Sequence, residues 1–527
     1  MQGKSKVSSR KRASTPDYIS PNQLVLSGFE TPFEQKLSKT NRWVKLAHSI
    51  PWDKLVGYYN NLFPSIEGRP PINGRVILGA VIIKHLGDLT DRETIAQIQE
   101  NMFMQYFLGY SSFTNEEPFS DTLFVEIRKR LNIELLSKIN EVIALHCIEI
   151  QEAKKKEQRP KKQEEEASTI QENKPDDNQK TQVAPSDGTS FENNQSQKQA
   201  SIDSNSNKGK LLIDATVAPQ NITFPTDLKL LNAARRKSEE LIDILHNPLL
   251  HGEKKVRTYR QVARKSFLNA AKKKRKTARE IYKANGQQIR FLKRNLGHID
   301  RLLSQYEKFP LSARQQKYLM VLHTVYQQQE EIHRNRCHRI EHRIVNIHQP
   351  HVRPIVRGKE SARTEFGSKI QMALVGGLVF IDHLGWEAYN EGNLLMDSVS
   401  KYKNRFGFYP AEVLVDQIYC SRDNRKQLKL LDIKLIAKPL GRPSAQAVKN
   451  HVRPGERNPI EGKFGQAKLA YGLDEIRAKL SDTSTSWIAA IALVLNLVKL
   501  MRVAPLSVII WIKNITRNLS LNLAYIN

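Results

Sequence analysis

Cysteine is scarce in this chain of 527 residues. The three cysteines, Cys147, Cys337 and Cys420, are odd in number and lie far apart in the sequence. This pattern excludes a disulfide framework and a zinc site built from paired thiolates. Because disulfides persist in oxidising compartments, we expect the protein in a reducing one, the cytoplasm.

Acidic residues are too few to balance the basic ones. Lysines and arginines number 83 against 54 aspartates and glutamates, which leaves a net charge of +29 and a pI near 9.8. The length allows roughly two to four domains with a large core. An excess of basic charge is evidence about partners rather than fold, and the expected partner is a polyanion.

Uninterrupted apolar runs are missing as well. The basic N-terminus lacks the apolar segment of a secretory signal. Since a membrane span needs about 20 successive apolar residues, we predict a buried core helix at 486–501 and no membrane partner. The most apolar stretch, 487–512, is interrupted by Asn496, Lys499, Arg502 and Pro505.

Periodicity and composition divide the chain into segments. Between 41 and 150 apolar residues recur at helical spacing, which predicts an all-α domain able to bind DNA. Between 152 and 208 large apolar residues are nearly absent, so we expect a disordered linker that cannot offset the entropy of ordering. The other predicted segments are a flexible basic lead (1–40), an α/β domain (209–228 and 351–505), a helical insertion (229–350) and a C-terminal tail (506–527).

The insertion is strongly basic. Residues 229–310 contain 22 lysines and arginines against 7 acidic residues, so about half of the net charge lies here. Two apolar stripes, separated by Phe309-Pro310, predict a helical hairpin. This asymmetry favours contact with the DNA backbone. The densest run of cations is Lys272, Lys273, Lys274, Arg275 and Lys276.

Short apolar runs in the α/β segments are typical of buried strands. Runs at 211–213 and 412–415 are each followed by an aspartate. Runs at 368–375 and 378–384, separated by two glycines, predict a hairpin. With a further strand at 433–437 and helices between the strands, the order predicts a mixed α/β sheet with helices on both faces.

The two aspartates share a context that suggests chemistry. Asp214 and Asp416 each close an apolar strand, and ligands of open α/β sheets bind beyond the carboxyl ends of strands. If the strands are neighbours, the carboxylates converge, and Glu461 on a later helix completes the set. Three carboxylates repel one another without a cation, and oxygen ligands favour Mg²⁺ or Mn²⁺. Two such ions can activate a nucleophilic oxygen and stabilise the leaving oxygen of a phosphodiester.

Glu461 itself lies among cations. Arg457 precedes it by four residues and Lys468 follows it by seven, so all three side chains share roughly one helix face. A solvated charged face is the commoner reason for such a spacing. Combined with the two aspartates, the pattern suits a site that holds a divalent metal and a phosphodiester together.

These motifs resemble the three acidic motifs of the DDE transposases of bacterial insertion sequences, in the IS-five-like group with an N-terminal helical domain. The similarity covers most of the chain outside the linker. In the family's third motif, Tyr-x2-Arg-x3-Glu-x6-Lys, Pro454 stands here for the Tyr, so that contact is absent or supplied elsewhere. Ile418 replaces the usual Gly of the second motif. The matching segments are Leu212-Ile213-Asp214-Ala215-Thr216, Val415-Asp416-Gln417-Ile418-Tyr419 with Asn424-Arg425, and Arg457-x3-Glu461-x6-Lys468.

The resemblance implies an RNase H-like catalytic core. Asp214, Asp416 and Glu461 would be the metal ligands, while Arg457 and Lys468 would contact transposon-end DNA near the cleaved phosphate. The implied reaction is hydrolysis at the element's 3′ ends, followed by attack of the freed 3′-OH on target DNA. Handling two inverted-repeat ends together implies at least a homodimer, associated with the nucleoid. Further DNA contacts are expected from Tyr419, Arg425 and Lys463.

Other interpretations stay open. A DNA-binding remnant without catalysis and a related RNase H-like nuclease without strand transfer both fit this sequence. The H-x-x-E-H pattern at 338–342 is an inverted zinc-protease motif, but the arginines around it disfavour a dication and make chance the better explanation. Other acids near strand ends or loops can replace a member of the site: Asp227 (the main rival to Asp214), Asp382, Glu391 and Asp423.

Overall fold

A computed structural model of the chain describes residues 37–62, 71–170, 207–356, 364–437 and 455–503. Nearly all of the predicted basic lead, most of the linker, the C-terminal tail and Pro454 lie outside the described residues. The described part combines an N-terminal helical region with one mixed sheet and further helices.

The N-terminal region is helical, as predicted. Its central helix, α3, is buried on every side from Gly74 to His85, because most of its residues are apolar; Arg75, Lys84 and His85 are the buried exceptions. Another helix, α4, begins at a capping box in which Thr90 and Glu93 satisfy each other's backbone N–H groups. The helices before the linker are α1 (Arg42–Ser49), α2 (Trp52–Asn60), α3 (Gly74–Leu86), α4 (Asp91–Glu100), α5 (Met102–Leu108) and α6 (Leu123–Arg130).

The next helix, α7, corrects the predicted start of the linker. It spans Ile133–Ile170, so the first part of the segment expected to be disordered is helical. The reason is local: this part is rich in Glu, Lys and Gln, which favour a helix without needing a core to pack against. Low apolar content excludes a packed domain there, but it does not exclude the continuation of an existing helix.

One six-stranded mixed sheet forms the centre of the α/β region. β1 pairs in parallel with β5, and β5 with β6, whereas β1–β3, β3–β4 and β2–β3 are antiparallel. The predicted hairpin is confirmed as β3 and β4. The strands are β1 (Lys210–Pro219), β2 (Arg353–Val356), β3 (Thr364–Val375), β4 (Leu378–Gly385), β5 (Glu412–Leu414) and β6 (Lys434–Ile436).

Apolar cores cover both faces of this sheet. Alternate residues of β1 point to opposite sides: Leu211 and Ile213 join a core shared with the N-terminal helices, and Leu212 joins a second core. Four helices and two short 3₁₀ turns pack around the sheet. They are the turn Glu391–Leu394, α13 (Leu395–Phe406), the turn Gln417–Tyr419, α14 (Arg422–Leu430), α15 (Asn458–Tyr471) and α16 (Ser481–Val503).

The apolar helix α16 is long enough, and apolar enough by composition, to cross a membrane. Most of it is buried inside the protein, where it packs against α3, α6, α7 and β4. The predicted core helix at 486–501 is therefore confirmed, with a few more residues at each end.

The basic insertion is a helical bundle rather than a simple hairpin. α8 packs against both α11 and α12, and α10 packs against α11. Leu231, Leu292 and Leu322, one from each long helix, share an apolar core, so a third helix is needed to bury the stripes of the other two. The bundle comprises α8 (Asp227–Leu245), α9 (Pro248–His251), α10 (Arg260–Lys272), α11 (Ala278–Leu303) and α12 (Ala313–Asn335).

Candidate active site

Asp214 and Asp416 occupy equivalent positions on neighbouring parallel strands. In the register of β1 and β5, Leu212 lies opposite Leu414, and each aspartate follows its leucine by two residues. One expectation needs correction: Asp214 does not end its strand, because β1 continues to Pro219 by pairing with β3. The parallel pairing of β1 with β5 stops before Asp214. Asp214 therefore lies just beyond the carboxyl end of the β1–β5 parallel pair, although it does not end β1 itself.

Asp214 is a mostly buried carboxylate. Its Oδ1 accepts a hydrogen bond from the backbone N–H of Ala215 at 2.8 Å. Burial raises the pKa of Asp214, the bond from Ala215 and the charge of Arg457 oppose the rise, and the charges of Glu391 and Asp416 add to it. Other negative charges therefore lie close to this carboxylate.

Asp416 is more open. Its side chain is 51% exposed, against 18% for Asp214. It caps the 3₁₀ turn Gln417–Tyr419, where its Oδ1 accepts the N–H of Gln417 at 2.8 Å. The site is thus closed at Asp214 and accessible to solvent at Asp416.

Arg457 joins the two aspartates. Its Nη2 lies 3.1 Å from Oδ2 of Asp214, and its Nη1 lies 3.2 Å from Oδ1 of Asp416. The arginine side chain is 19% exposed, and its buried Nε–H has no acceptor among the described residues. A single guanidinium therefore acts as the shared counter-ion of the carboxylate pair.

Glu461 is not grouped with the aspartates. It lies exposed in the first turn of α15, one turn after Arg457, which immediately precedes the helix. Among the described residues, no group of three or more histidine, cysteine, aspartate or glutamate side chains is arranged to hold a metal ion. The structure brings together two of the three predicted acids, with Arg457 between them.

Glu391, one of the rival acids, is a further carboxylate whose charge acts on the site. It opens the 3₁₀ turn Glu391–Leu394, and its carboxylate pairs with Nζ of Lys369 at 2.7 Å. Its charge contributes to the raised pKa values of Asp214 and Tyr419. The sequence offered one signal for it, a position near a strand end or loop, which was also noted for Asp382 and Asp423.

The structure does not support the predicted DNA contact of Tyr419. The ring is fully buried, and burial raises the pKa of its hydroxyl. The hydroxyl is 3.5 Å from Oε1 of Gln371. The amide of Asn424, also buried, donates to the carbonyls of Tyr419 and Gly392 at 2.9 and 2.7 Å. Tyr419 therefore stabilises the turn that carries Asp416 and cannot reach DNA.

The other predicted contacts lie at the surface or partly so. Arg425 is exposed on α14, and Lys468 lies in the last turn of α15. Lys463 is half-buried beside Gln466; burial lowers its pKa, and the charges of Lys499 and Arg502 lower it further. The run Lys272, Lys273, Lys274, Arg275 and Lys276 is exposed where α10 gives way to α11.

Two of the other three rival acids have structural partners. Asp227 pairs with Arg343 at 2.6 Å and accepts from Gln329 at 2.9 Å, and the buried Asp382 pairs with Arg405 at 2.8 Å. Asp423 is exposed in the first turn of α14.

The structure does not support a zinc site at the H-x-x-E-H pattern. Residues 338–342 lie beyond the end of α12, so no helix places the two histidines on one face. His342 instead pairs with Glu387 at 3.0 Å. A zinc site of the protease kind requires that helical spacing, which this segment does not have.

Two family models of transposase domains match separate parts of the chain. The family model described as "Transposase DDE domain" matches residues 413–498, and the one described as "Transposase domain (DUF772)" matches residues 31–130. The uncharacterized protein ORF8 in the nfe locus of Rhizobium meliloti is 30% identical over 96 residues, which are 18% of this chain and 46% of that protein. The chain thus spans less than half the length of this curated relative. No solved structure matches the chain.

Proposed function

We propose that the chain is a DDE transposase of insertion sequences, which cleaves DNA at the ends of its element and joins the freed 3′-OH to target DNA; the two transposase-domain models that match it support this proposal. The observation that carries this proposal is the pair Asp214 and Asp416, held together through Arg457. The matched "Transposase DDE domain" includes Asp416 and Glu461, whereas Asp214 lies outside it and is proposed from its sequence motif and its contact with Arg457.

The sheet supports an RNase H-like core. Three antiparallel strands (β4, β3, β1) continue into two parallel ones (β5, β6), with a helical insertion between β1 and the strand that precedes β3. The first aspartate lies on the central strand β1 and the second just after its parallel neighbour β5. This arrangement supports our proposal of an RNase H-like core.

A divalent cation fits the donor set of the pair. Asp214 and Asp416 offer carboxylate oxygens alone and already share a cationic partner, and hard oxygen donors suit Mg²⁺ or Mn²⁺. Glu461 is our candidate for a third ligand, and it would have to approach the pair from α15. The metal would supply Lewis-acid stabilisation of the attacking and leaving oxygens.

The protein's own residues have separate roles in this scheme. Asp214, anchored by the Ala215 N–H, fixes the closed side of the site, and Asp416 faces the side from which DNA enters. The buried Tyr419 and Asn424 hold the turn beneath Asp416. Lys463, Lys468 and Arg425 are proposed to bind DNA phosphates around the site.

The basic insertion is the proposed binding surface for the DNA ends. The bundle has its own apolar core, which fixes its helices relative to one another. Its cations lie at the surface, where they can contact DNA phosphates. Inverted-repeat ends and target DNA are the proposed partners, and a homodimer in the cytoplasm, at the nucleoid, is the proposed working form.

The proposal is tested with purified protein, a labelled duplex that carries the element's terminal repeat, and Mg²⁺ or Mn²⁺. We expect nicking by the wild-type protein and none above the no-protein level by Asp416→Asn. The matched control is Asp423→Asn, which removes an exposed carboxylate from the first turn of the next helix and should nick normally. Nicking by Asp416→Asn at the wild-type rate would refute the catalytic assignment.

The alternatives give different results in the same assay. A DNA-binding remnant would bind the terminal duplex without nicking it. A nuclease without strand transfer would nick it but would not join a pre-cut 3′-OH end to a plasmid target. Only nicking followed by joining supports the full reaction.

A further inference from the structure

We propose that Arg457 is an internal counter-ion that a divalent cation displaces, so that this one side chain couples cation binding to the binding of a DNA phosphate. The inference rests on the proposed function, because it concerns the same carboxylate pair. It adds a regulatory property: without DNA, the site is held in a form that binds metal weakly.

Three of the four carboxylate oxygens of the pair already have partners among the described residues. Arg457 reaches Oδ2 of Asp214 at 3.1 Å and Oδ1 of Asp416 at 3.2 Å through its two separate amino groups. The other oxygen of Asp214, Oδ1, accepts the N–H of Ala215, and Oδ1 of Asp416 also accepts the N–H of Gln417. Because Arg457 lies between the two carboxylates, a cation that bridges them in its place must take oxygens from the guanidinium.

Charge makes the two arrangements exclusive. A guanidinium and a dication within the same few ångströms repel each other, and the repulsion is poorly screened because Arg457 and Asp214 are each more than four-fifths buried. The metal and Arg457 thus compete for Asp214 and Asp416. Metal binding must therefore offset the favourable energy of the arginine–carboxylate pairs that it breaks.

The displaced arginine needs another anion. Its buried Nε–H has no acceptor among the described residues, so even the present pairing leaves part of the guanidinium unsatisfied. Arg457 immediately precedes α15, where the helix dipole attracts negative charge. A phosphodiester offers two oxygens to a guanidinium fork, and on a nucleic-acid-cleaving protein it is the anion that arrives with the substrate.

Linkage follows from this exchange. A phosphate that binds Arg457 releases the carboxylates for a cation, and a cation that releases Arg457 frees it for phosphate, so each ligand strengthens the other by the same factor. The Arg457 pairing thereby disfavours metal loading in the absence of DNA. Between reactions, Asp214 and Asp416 then remain paired with Arg457 rather than with a metal ion.

The test measures Mn²⁺ binding to the full-length protein by titration calorimetry, without DNA. We expect Arg457→Gln to bind Mn²⁺ more tightly than wild type by about tenfold, within the usual range for coupled sites. Arg457→Lys should fall between them, because one ammonium cannot hold both carboxylates as the two amino groups do. Arg422→Gln, the same loss of charge on the surface of α14, is the matched control and should change the affinity little.

A second titration in the presence of a short duplex completes the test. DNA should increase Mn²⁺ affinity more in wild type than in Arg457→Gln, because the variant has no arginine to transfer. Equal or weaker DNA-free affinity in both Arg457 variants would overturn the inference. Circular dichroism checks that each variant is folded, and Arg457→Lys keeps the test valid if the glutamine variant is not.

The two proposals fail differently. Wild-type protein that nicks DNA while the Arg457 variants bind Mn²⁺ no more tightly refutes the counter-ion role and leaves the transposase function standing. Tighter Mn²⁺ binding by the variants, with no nicking by wild type, supports the exchange at the carboxylates and removes the catalytic function.

Discussion

Burial decides what individual charged residues of this protein can do. In the N-terminal region, Asp91 accepts two hydrogen bonds from Arg128 at 2.8 Å each and pairs with Lys84 at 3.0 Å. Burial lowers the pKa of Lys84, and the charge of Asp91 opposes the decrease. Trp487 of α16 lies against this cluster, with Lys84 4.5 Å from its ring centre. Charged residues that resemble surface positions in the sequence thus belong to the core between two regions.

His85, next to this cluster, predicts a dependence of stability on pH. It is 3% exposed and packs edge-on against Trp487 at 5.0 Å. Burial, then the charges of Lys84 and Arg128, lower the pKa of His85 well below 6.5. The folded state therefore keeps this histidine neutral, while the unfolded chain protonates it near its ordinary value.

The sign of the effect follows from that difference. A lowered pKa in the folded state means that the unfolded state binds more protons below about pH 6.5, so the unfolding free energy falls as the pH decreases from there. In His85→Phe, which keeps an aromatic ring, we expect a weaker loss of stability between about pH 7.5 and 5.5. Urea unfolding at both pH values measures it, and an equal loss in wild type and variant would contradict the prediction.

At the level of elements, sequence patterns identified helices and strands but not how far they extend. β5 and β6 have three residues each and were found from their apolar content, because strands this short show little alternation. β1 proved longer than its apolar run, because Ala215 and Thr216 pair with β3 and are buried rather than at the surface. Strand length in this sheet is set by the neighbouring strand.

The turn between α10 and α11 carries the strongest prediction about DNA binding. Lys272, Lys273, Lys274, Arg275 and Lys276 are exposed there, and only Lys273 forms an ion pair with an acid among the described residues, with Glu280 at 2.6 Å. Replacing all five by glutamine should weaken duplex binding and reduce the slope of log affinity against log salt by up to about 4. Binding measured from low to physiological salt provides the slope.

Retained helical content by circular dichroism is the control for the glutamine variant. A protein that keeps its helices and its wild-type salt slope would show that these cations do not contact the DNA backbone. A smaller slope at unchanged helical content would place the backbone contact in this turn.

For the whole molecule, a few buried polar contacts join the N-terminal helices to the sheet. Asn496 of α16 bonds to both the N–H and the carbonyl of Val379 at 2.8 Å and donates to Asn140 of α7 at 2.9 Å. Asn140 donates to the same carbonyl of Val379 at 2.9 Å. Asn496 also interrupts the most apolar helix of the chain, and here it connects α7, α16 and β4.

Asn496→Leu should therefore lower the stability of the whole protein. The substitution leaves the buried N–H of Val379 without its acceptor, a loss of about 1–3 kcal/mol in the free energy of unfolding. Asn335→Leu, at the exposed end of α12, is the control and should change stability little. Chemical denaturation of the three proteins measures the difference, and equal stability of all three would show that these contacts do not couple the regions.

The sequence by itself determined the class of this protein. Composition and local patterns predicted the basic charge, the helical N-terminal region, the strands and the two aspartates, because each depends on residue types or on residues close together in the chain. Only the tertiary structure decided that Asp214 lies within its strand, that Tyr419 is buried, and that the insertion needs a third helix.

The tertiary structure also decided what each acid of the site touches. Asp214 and Arg457 are more than two hundred residues apart, and their contact exists because β1 and the start of α15 meet at one edge of the sheet. Spacing within α15 placed Arg457 and Glu461 on one face but could not show which of them turns toward the aspartates. The physical reason is that opposite charge draws the arginine to the carboxylate pair, while like charge gives Glu461 no such attraction.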